Sequence, residues 1–173
     1  MNINYHNRFI SWFLSRIQHY NHKKYWKRRK YVTQPNGSVL KKLVYLVYIK
    51  RCDAYNNASM GTDYGSGAVF EEPPLLPHGL NGIVVCPQAK LGKNVRIFHQ
   101  VTIGNDYKDI NNAPVIGNDV TIFPGAKIFG KISIGDNSII GANAVVNFDV
   151  PANSMVVCEK SRLIRKGIND VQT

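Results

Sequence analysis

The chain has 173 residues, 44% of them hydrophobic, which is enough for one domain with a sizeable core plus an appendage and sets disorder aside as the default. Lys and Arg total 22 against 11 acids, a net charge of +11, which asks for an anionic partner without choosing among nucleic acid, a phosphorylated cofactor, an acidic glycan and a membrane surface. Cys52, Cys86 and Cys158 are odd in number and widely spaced, so a disulfide framework and a zinc knuckle are not indicated, and a reducing cytoplasm fits.

The first twenty residues lack the uninterrupted apolar stretch of a signal peptide, and the longest apolar run, Leu43 to Ile49, falls far short of the roughly 18 residues that cross a bilayer. The expected location is cytoplasmic, with a peripheral place at the inner membrane face open to it. Residues 1–56 read as a basic helical segment. Phe9, Ile10, Phe13, Leu14 and Ile17 recur at three- and four-residue spacing, as do Val39, Leu40, Leu43, Val44 and Val47, which predicts two short amphipathic helices. Pro35-Asn36-Gly37 reads as a turn and Ser38 as the N-cap of the second helix. Between the helices, residues 22–30 (HKKYWKRRK) form the densest charge run, with Tyr20, Tyr25, Trp26 and Tyr31 interleaved. That mixture suits an anionic membrane surface, RNA stacking, or a solvated helix face.

Residues 57–82 shift to Gly, Ser, Asp and Pro and lose both periods, so they read as a linker leading into the next unit. From Val85 an aliphatic residue recurs every six positions through Leu91, Ile97 and Ile103, and again at Ile116, Ile122, Ile128, Ile134, Ile140 and Val146. Such a run arises by chance on the order of once in a million. Four residues after the starts runs a second column, from Ala89, Val95 and Val101 to Val120, Ala126, Ile132, Ser138, Ala144 and Val150, and Gly92, Gly104, Gly117, Gly135 and Gly141 follow their starts as turn residues. A helix cannot keep period six on one face, whereas a three-sided coil can. The chain is therefore expected to be mainly β, a parallel β-helix over 83–157 with a loop at 105–113 that breaks the period, and a tail at 158–173.

The stretch LPHGLNGIVV, followed by PQAKLGKNVRIFHQVTIG and PVIGNDVTIFPGAKIFGKISIGDNSIIGANAVV, resembles the hexapeptide-repeat acyltransferases, and within them the serine acetyltransferase-like branch that includes enzymes of capsule and exopolysaccharide clusters. The resemblance implies a left-handed parallel β-helix assembled as a homotrimer, with acetyl-CoA as co-substrate and no metal. It makes His78 the catalytic base, whose imidazole would take a hydroxyl proton as the oxygen attacks a thioester carbonyl. It also implies an acid fifteen residues earlier, which is Asp63, with Glu71 and Glu72 as alternatives. His99, two residues past an inward position, is expected to face solvent or a neighbouring subunit.

By position Gly104, Pro124 and Ala142 match family sites where backbone meets the pantetheine arm, and Lys127, Lys160, Arg162, Arg165 and Lys166 are candidates for the phosphates. In enzymes that acetylate serine, an aspartate usually precedes the histidine and an Arg-His pair precedes the proline that re-enters the coil. Here those positions hold Pro77 and Asn112-Ala113, and a site without matching charges binds an amino acid poorly. The expected acceptor is a carbohydrate, a sugar hydroxyl of a surface polysaccharide or its precursor, with serine as the alternative. A non-catalytic trimeric scaffold with a membrane- or nucleic-acid-binding basic arm is the rival of another class.

Overall fold

The computed structural model describes Ile17 and residues 19–159. The first expected helix, apart from Ile17, and the candidate cations Lys160, Arg162, Arg165 and Lys166 lie outside the described residues. Among the described residues two helices, α1 (His22–Thr33) and α2 (Val39–Tyr55), precede fifteen strands of two or three residues each.

The basic run folds as α1, capped by Asn21, whose Oδ1 accepts from the Lys24 backbone N–H at 3.0 Å. It is not a free arm. Tyr25, Trp26, Arg29 and Val32 are buried, and Trp26 packs edge-on against Phe70 at 4.8 Å. The Arg29 guanidinium donates to Met60 O at 3.0 Å, Thr62 Oγ1 at 3.0 Å and Ala68 O at 2.7 Å, which pins the helix to the first strands. Burial lowers its pKa to about 10.

Ser38 occupies the N-cap of α2 as expected, but its side chain makes no capping bond. The helix is turned the other way round from its apolar pattern: Lys42, Ile49, Cys52 and Asp53 are buried, and Val39, Leu40, Leu43, Val44 and Val47 are exposed. Specific polar bonds hold this orientation. The Lys42 ammonium donates to the carbonyls of Gln34 and Pro35, and the Tyr25 hydroxyl donates to Asp53 Oδ1 at 2.7 Å.

The strands build a solenoid of about four turns with three parallel faces. The first face stacks β1 (Ser59–Met60), β5 (Val84–Val85), β8 (Thr102–Gly104), β11 (Lys127–Phe129) and β14 (Val145–Val146). The second stacks β7 (Arg96–Ile97), β10 (Thr121–Ile122), β13 (Ile139–Ile140) and β15 (Met155–Val156). The third stacks β4 (Val69–Phe70), β6 (Lys90–Leu91), β9 (Val115–Ile116) and β12 (Ser133–Ile134). Val85 pairs with Ile103 and Ile128 with Val146, 18 residues apart, so one coil is three hexapeptides. Every residue of both predicted columns from Val85 to Val150 is buried, and each buried aliphatic side chain contributes about 1.5–3 kcal/mol. Ser138, in the second column, satisfies its hydroxyl on Pro151 O at 3.0 Å. Gly92, Gly117, Gly135 and Gly141 serve close approach, as at Gly135, where a Cβ would fall 2.3 Å from Ala152 N.

Ile103 pairs with Ile128 at a spacing of 25, so the coil between them carries seven extra residues, the predicted loop. Asp106 closes it by accepting from the Lys108 backbone N–H and from the Asn112 amide. The expected linker over 57–82 is instead part of the solenoid. Here β1 pairs with β5, β4 with β6, and Leu75 bridges Arg96. An antiparallel hairpin of β2 (Thr62–Asp63) and β3 (Ser66–Gly67) interrupts the six-residue step and hides this first coil from the periodicity.

Candidate active site

Leu75 pairs with Arg96 at a spacing of 21, three more than a coil, and the extra residues fall in the turn over 77–82. That turn is anchored from inside by Leu80 and Ile83, both fully buried. Gly82 N donates to Asn56 O at 2.8 Å and Gln100 N to Asn81 O at 2.9 Å. Gly79 and Gly82 adopt φ of 67° and 65°, which lets so tight a corner close. The result is that His78 stands exposed on the corner with its neighbours fixed.

Continuing the parallel register from Leu75–Arg96 sets His78 level with His99, and the pairs Ile97–Ile122 and Ile122–Ile140 set His99 level with Pro124 and Ala142. These four residues occupy one corner column, one per coil. Gly125 N donates to His99 O and Asn143 N to Pro124 O, so the column is tied along its backbone. The His78 and His99 rings lie 4.7 Å apart between centroids, with their Nδ1 atoms at 2.6 Å. Phe98 meets His78 edge-on at 5.5 Å and stacks on Phe123 at 5.3 Å, giving the pair an aromatic wall.

His99 is the residue that sequence reasoning set aside. Its outward direction was expected, but its contact with His78 depends on a coil three residues longer than its neighbours, which no periodicity displays. Asp63 lies in β2, and Glu71 and Glu72 are exposed just after β4. None of the three forms a hydrogen bond or ion pair with His78 among the described residues. Gly104 ends β8 on the adjacent face, with no atom within 4 Å of where its Cβ would be. Lys127 is engaged locally, its Nζ donating to Gln100 O at 2.8 Å and to Thr102 Oγ1 at 3.2 Å.

Beside His78 a cleft of about 290 Å³ opens between the turn and the end of α2, lined by Tyr55, Asn56, Asn57, His78, Gly79 and Asn81. Its walls are aromatic and amide groups, with no Lys, Arg, Asp or Glu among them. Such a lining can hydrogen-bond a polar neutral molecule next to a titratable ring. Among the described residues no group of three or more His, Cys, Asp or Glu could hold a metal ion.

Residues 113–147 match the family model described as bacterial transferase hexapeptide (six repeats). Over 107 residues the chain is 37% identical to a serine acetyltransferase of Helicobacter pylori, covering 61% of this chain and 62% of that protein. Over 98 residues it is 40% identical to a serine acetyltransferase of Mycobacterium tuberculosis, covering 56% and 42%. Among solved structures, serine acetyltransferase from Brucella abortus superposes with a TM-score of 0.61 at 28% identity, over 83% of this chain and 53% of that one. Soybean serine acetyltransferase complexed with serine gives 0.60 at 28% identity, over 93% and 58%. The matched part thus spans less than two thirds of each of these proteins.

Proposed function

We propose that this chain, a member of the hexapeptide-repeat acyltransferase superfamily with a likeness to its serine acetyltransferase branch, transfers an acetyl group from acetyl-CoA to a hydroxyl oxygen. The observation that carries the reading is His78, exposed at a cleft with its Nδ1 engaged by His99. At 2.6 Å one nitrogen donates and the other accepts. When His78 donates from Nδ1, its Nε2 carries a lone pair and is the base. The acceptor hydroxyl then loses its proton to Nε2 as its oxygen bonds the thioester carbonyl carbon. The C–S bond breaks, and the proton passes from Nε2 to the departing CoA sulfur. His99 would stabilise the transient imidazolium by accepting its Nδ1–H, the role a carboxylate plays elsewhere.

Backbone groups of Gly104, Pro124 and Ala142 would run alongside the pantetheine arm, with Lys127, Lys160 and Arg162 toward the phosphates. The names of the relatives point to L-serine as acceptor. A second reading, a neutral sugar hydroxyl of a surface polysaccharide, is favoured by the uncharged lining of the cleft and by Pro77, Asn112 and Ala113. Assembly as a homotrimer fits the exposed Val84, Val115 and Val145, which stand on the flat faces of the solenoid.

The test is release of CoA thiol from acetyl-CoA with L-serine or with neutral mono- and oligosaccharides, for the wild type and for His78→Ala. Serine-dependent release that His78→Ala abolishes supports the first reading. Release with sugars alone transfers the assignment to the second. No release with either, together with no binding of acetyl-CoA, would leave a non-catalytic scaffold.

A further inference from the structure

One arc of the exposed side of α2 from Val39 to Val47 carries only aliphatic side chains, with the exposed Lys41 beyond its edge. Val39, Leu43 and Val47 follow at four-residue steps with Leu40 and Val44 beside them, an apolar stripe about 140° wide at 100° per residue. Their exposures run from 47% to 73%, and none belongs to the core cluster of the described residues. Beside Val44, around the helix, come Tyr48, Lys41 and Tyr45. Arg28 stacks on the Tyr48 and Tyr45 rings at 4.0 and 5.0 Å, Lys24 on Tyr48 at 5.2 Å, and Lys41 on Tyr31 at 4.7 Å. The stripe is therefore edged by a belt in which tyrosines hold cations against their faces.

From these observations we infer that α2 is a docking face for an anionic lipid surface. Aliphatic side chains would enter the boundary of the acyl region while the Tyr–Lys–Arg belt lies at the headgroups. The charge distribution selects this occupant. Residues 1–56 contain twelve Lys and Arg and one acid, Asp53, whereas residues 57–173 contain ten of each. The whole net charge of the chain thus belongs to the part that bears the stripe. A second copy docked here by twofold symmetry would set two basic belts against each other, a repulsive arrangement. The chain's own residues 1–16 carry the apolar Phe9, Ile10, Phe13 and Leu14, but with Arg8, Arg16 and no acid they bring no charge complementary to the belt. The inference is independent of the proposed activity.

The test uses flotation of the full chain with vesicles of phosphatidylcholine alone and of phosphatidylcholine with 30% phosphatidylglycerol. Wild type should float with the anionic vesicles, weakly or not at all with the neutral ones, and less in high salt. The triple variant Leu40→Gln, Leu43→Gln, Val47→Gln should lose binding at least tenfold. Its circular dichroism and thermal unfolding should match wild type, because those side chains are exposed and outside the core cluster. Lys23→Gln, Lys27→Gln and Lys41→Gln together should weaken binding about fivefold for each charge removed. A dye sensitive to polarity on Val44→Cys, in a background with Cys86→Ser and Cys158→Ser, should shift to the blue only with anionic vesicles. No flotation of the wild type, or flotation unchanged in the triple variant, overturns the inference. So does a dye already shielded without lipid: a larger particle that the triple variant splits then assigns the face to a second copy, and an unchanged particle size assigns it to residues 1–16.

Discussion

His78 and His99 belong to successive coils, yet their Nδ1 atoms are 2.6 Å apart, within hydrogen-bonding distance. A hydrogen bond between them needs one Nδ1 to donate and the other to accept, so the activity of the base should depend on which ring donates.

Replacing His78 by Ala should lower acetyl transfer by roughly 10²- to 10⁴-fold, the usual effect of removing a general base, with acetyl-CoA affinity nearly unchanged. His78→Asn keeps a hydrogen-bonding group but moves no proton, so it should be as inactive as Ala. Steady-state rates and calorimetric binding decide the matter. An active Asn variant alongside an unstable Ala variant would make His78 a corner cap.

For His99 the two substitutions should separate. His99→Ala removes the acceptor of the His78 Nδ1–H and should cost about tenfold in kcat, the worth of one hydrogen bond of about 1.4 kcal/mol in the transition state. His99→Asn can still accept through Oδ1 and should retain most activity. A larger loss from Asp63→Asn than from His99→Ala would instead assign the orienting role to the acid.

Asp53 should make the helical end of the molecule sensitive to pH. Burial pushes its carboxyl up to about 6, against the opposing effects of the Tyr25 hydrogen bond and the charges of Lys50 and Arg29. The folded state therefore binds more protons than the unfolded one between the ordinary carboxylate pKa near 4 and about 6. Stability from this group is fully present below pH 4 and falls as pH rises to 6, by on the order of 2–3 kcal/mol. Asp53→Asn keeps an acceptor for Tyr25 and should remove that fall. Urea unfolding at pH 4, 5, 6 and 7 measures the difference, and parallel curves for the two proteins would refute it.

Arg29→Met should destabilise the chain by about 2–4 kcal/mol, because the Met60 and Ala68 carbonyls lose their donor inside the structure. The loss should fall on the junction of α1 with the first coil. Hydrogen exchange is the direct readout, with faster exchange in α1 and β1 and unchanged protection in β10 to β14. A uniform increase through the solenoid would mean that the two parts unfold together.

The β-helix was legible because Ile103, Ile122 and their equivalents repeat an inward aliphatic residue with almost no exceptions over ten steps. A buried column tolerates little else. The first coil was not legible, since the hairpin at Thr62–Gly67 and the long corner at 77–82 shift its inward residues off the six-residue step. The helices misled in another way. Val39, Leu43 and Val47 form a regular apolar face, and regularity shows that a face will be covered without saying by what. Buried charges such as Lys42, Arg29 and Asp53 cannot be anticipated from pattern, because each depends on carbonyls or hydroxyls brought in from distant positions. The proposed base was within reach of motif reading; its neighbour was not.

The corner column has a further meaning for how such a protein can change. Neighbouring strands of a sheet lie about 4.8 Å apart, so any two residues one coil apart in the same column meet at contact distance whatever their identity. The solenoid acts as a ruler whose graduations are a coil long, and inserting residues at a corner slides one graduation against the next without disturbing those above it. Three residues added at 77–82 align one histidine with another, while seven added between Ile103 and Ile128 raise a loop. New pairings of reactive groups are thereby available through insertions outside the core, and the Ile and Val columns that hold the molecule together need not change at all.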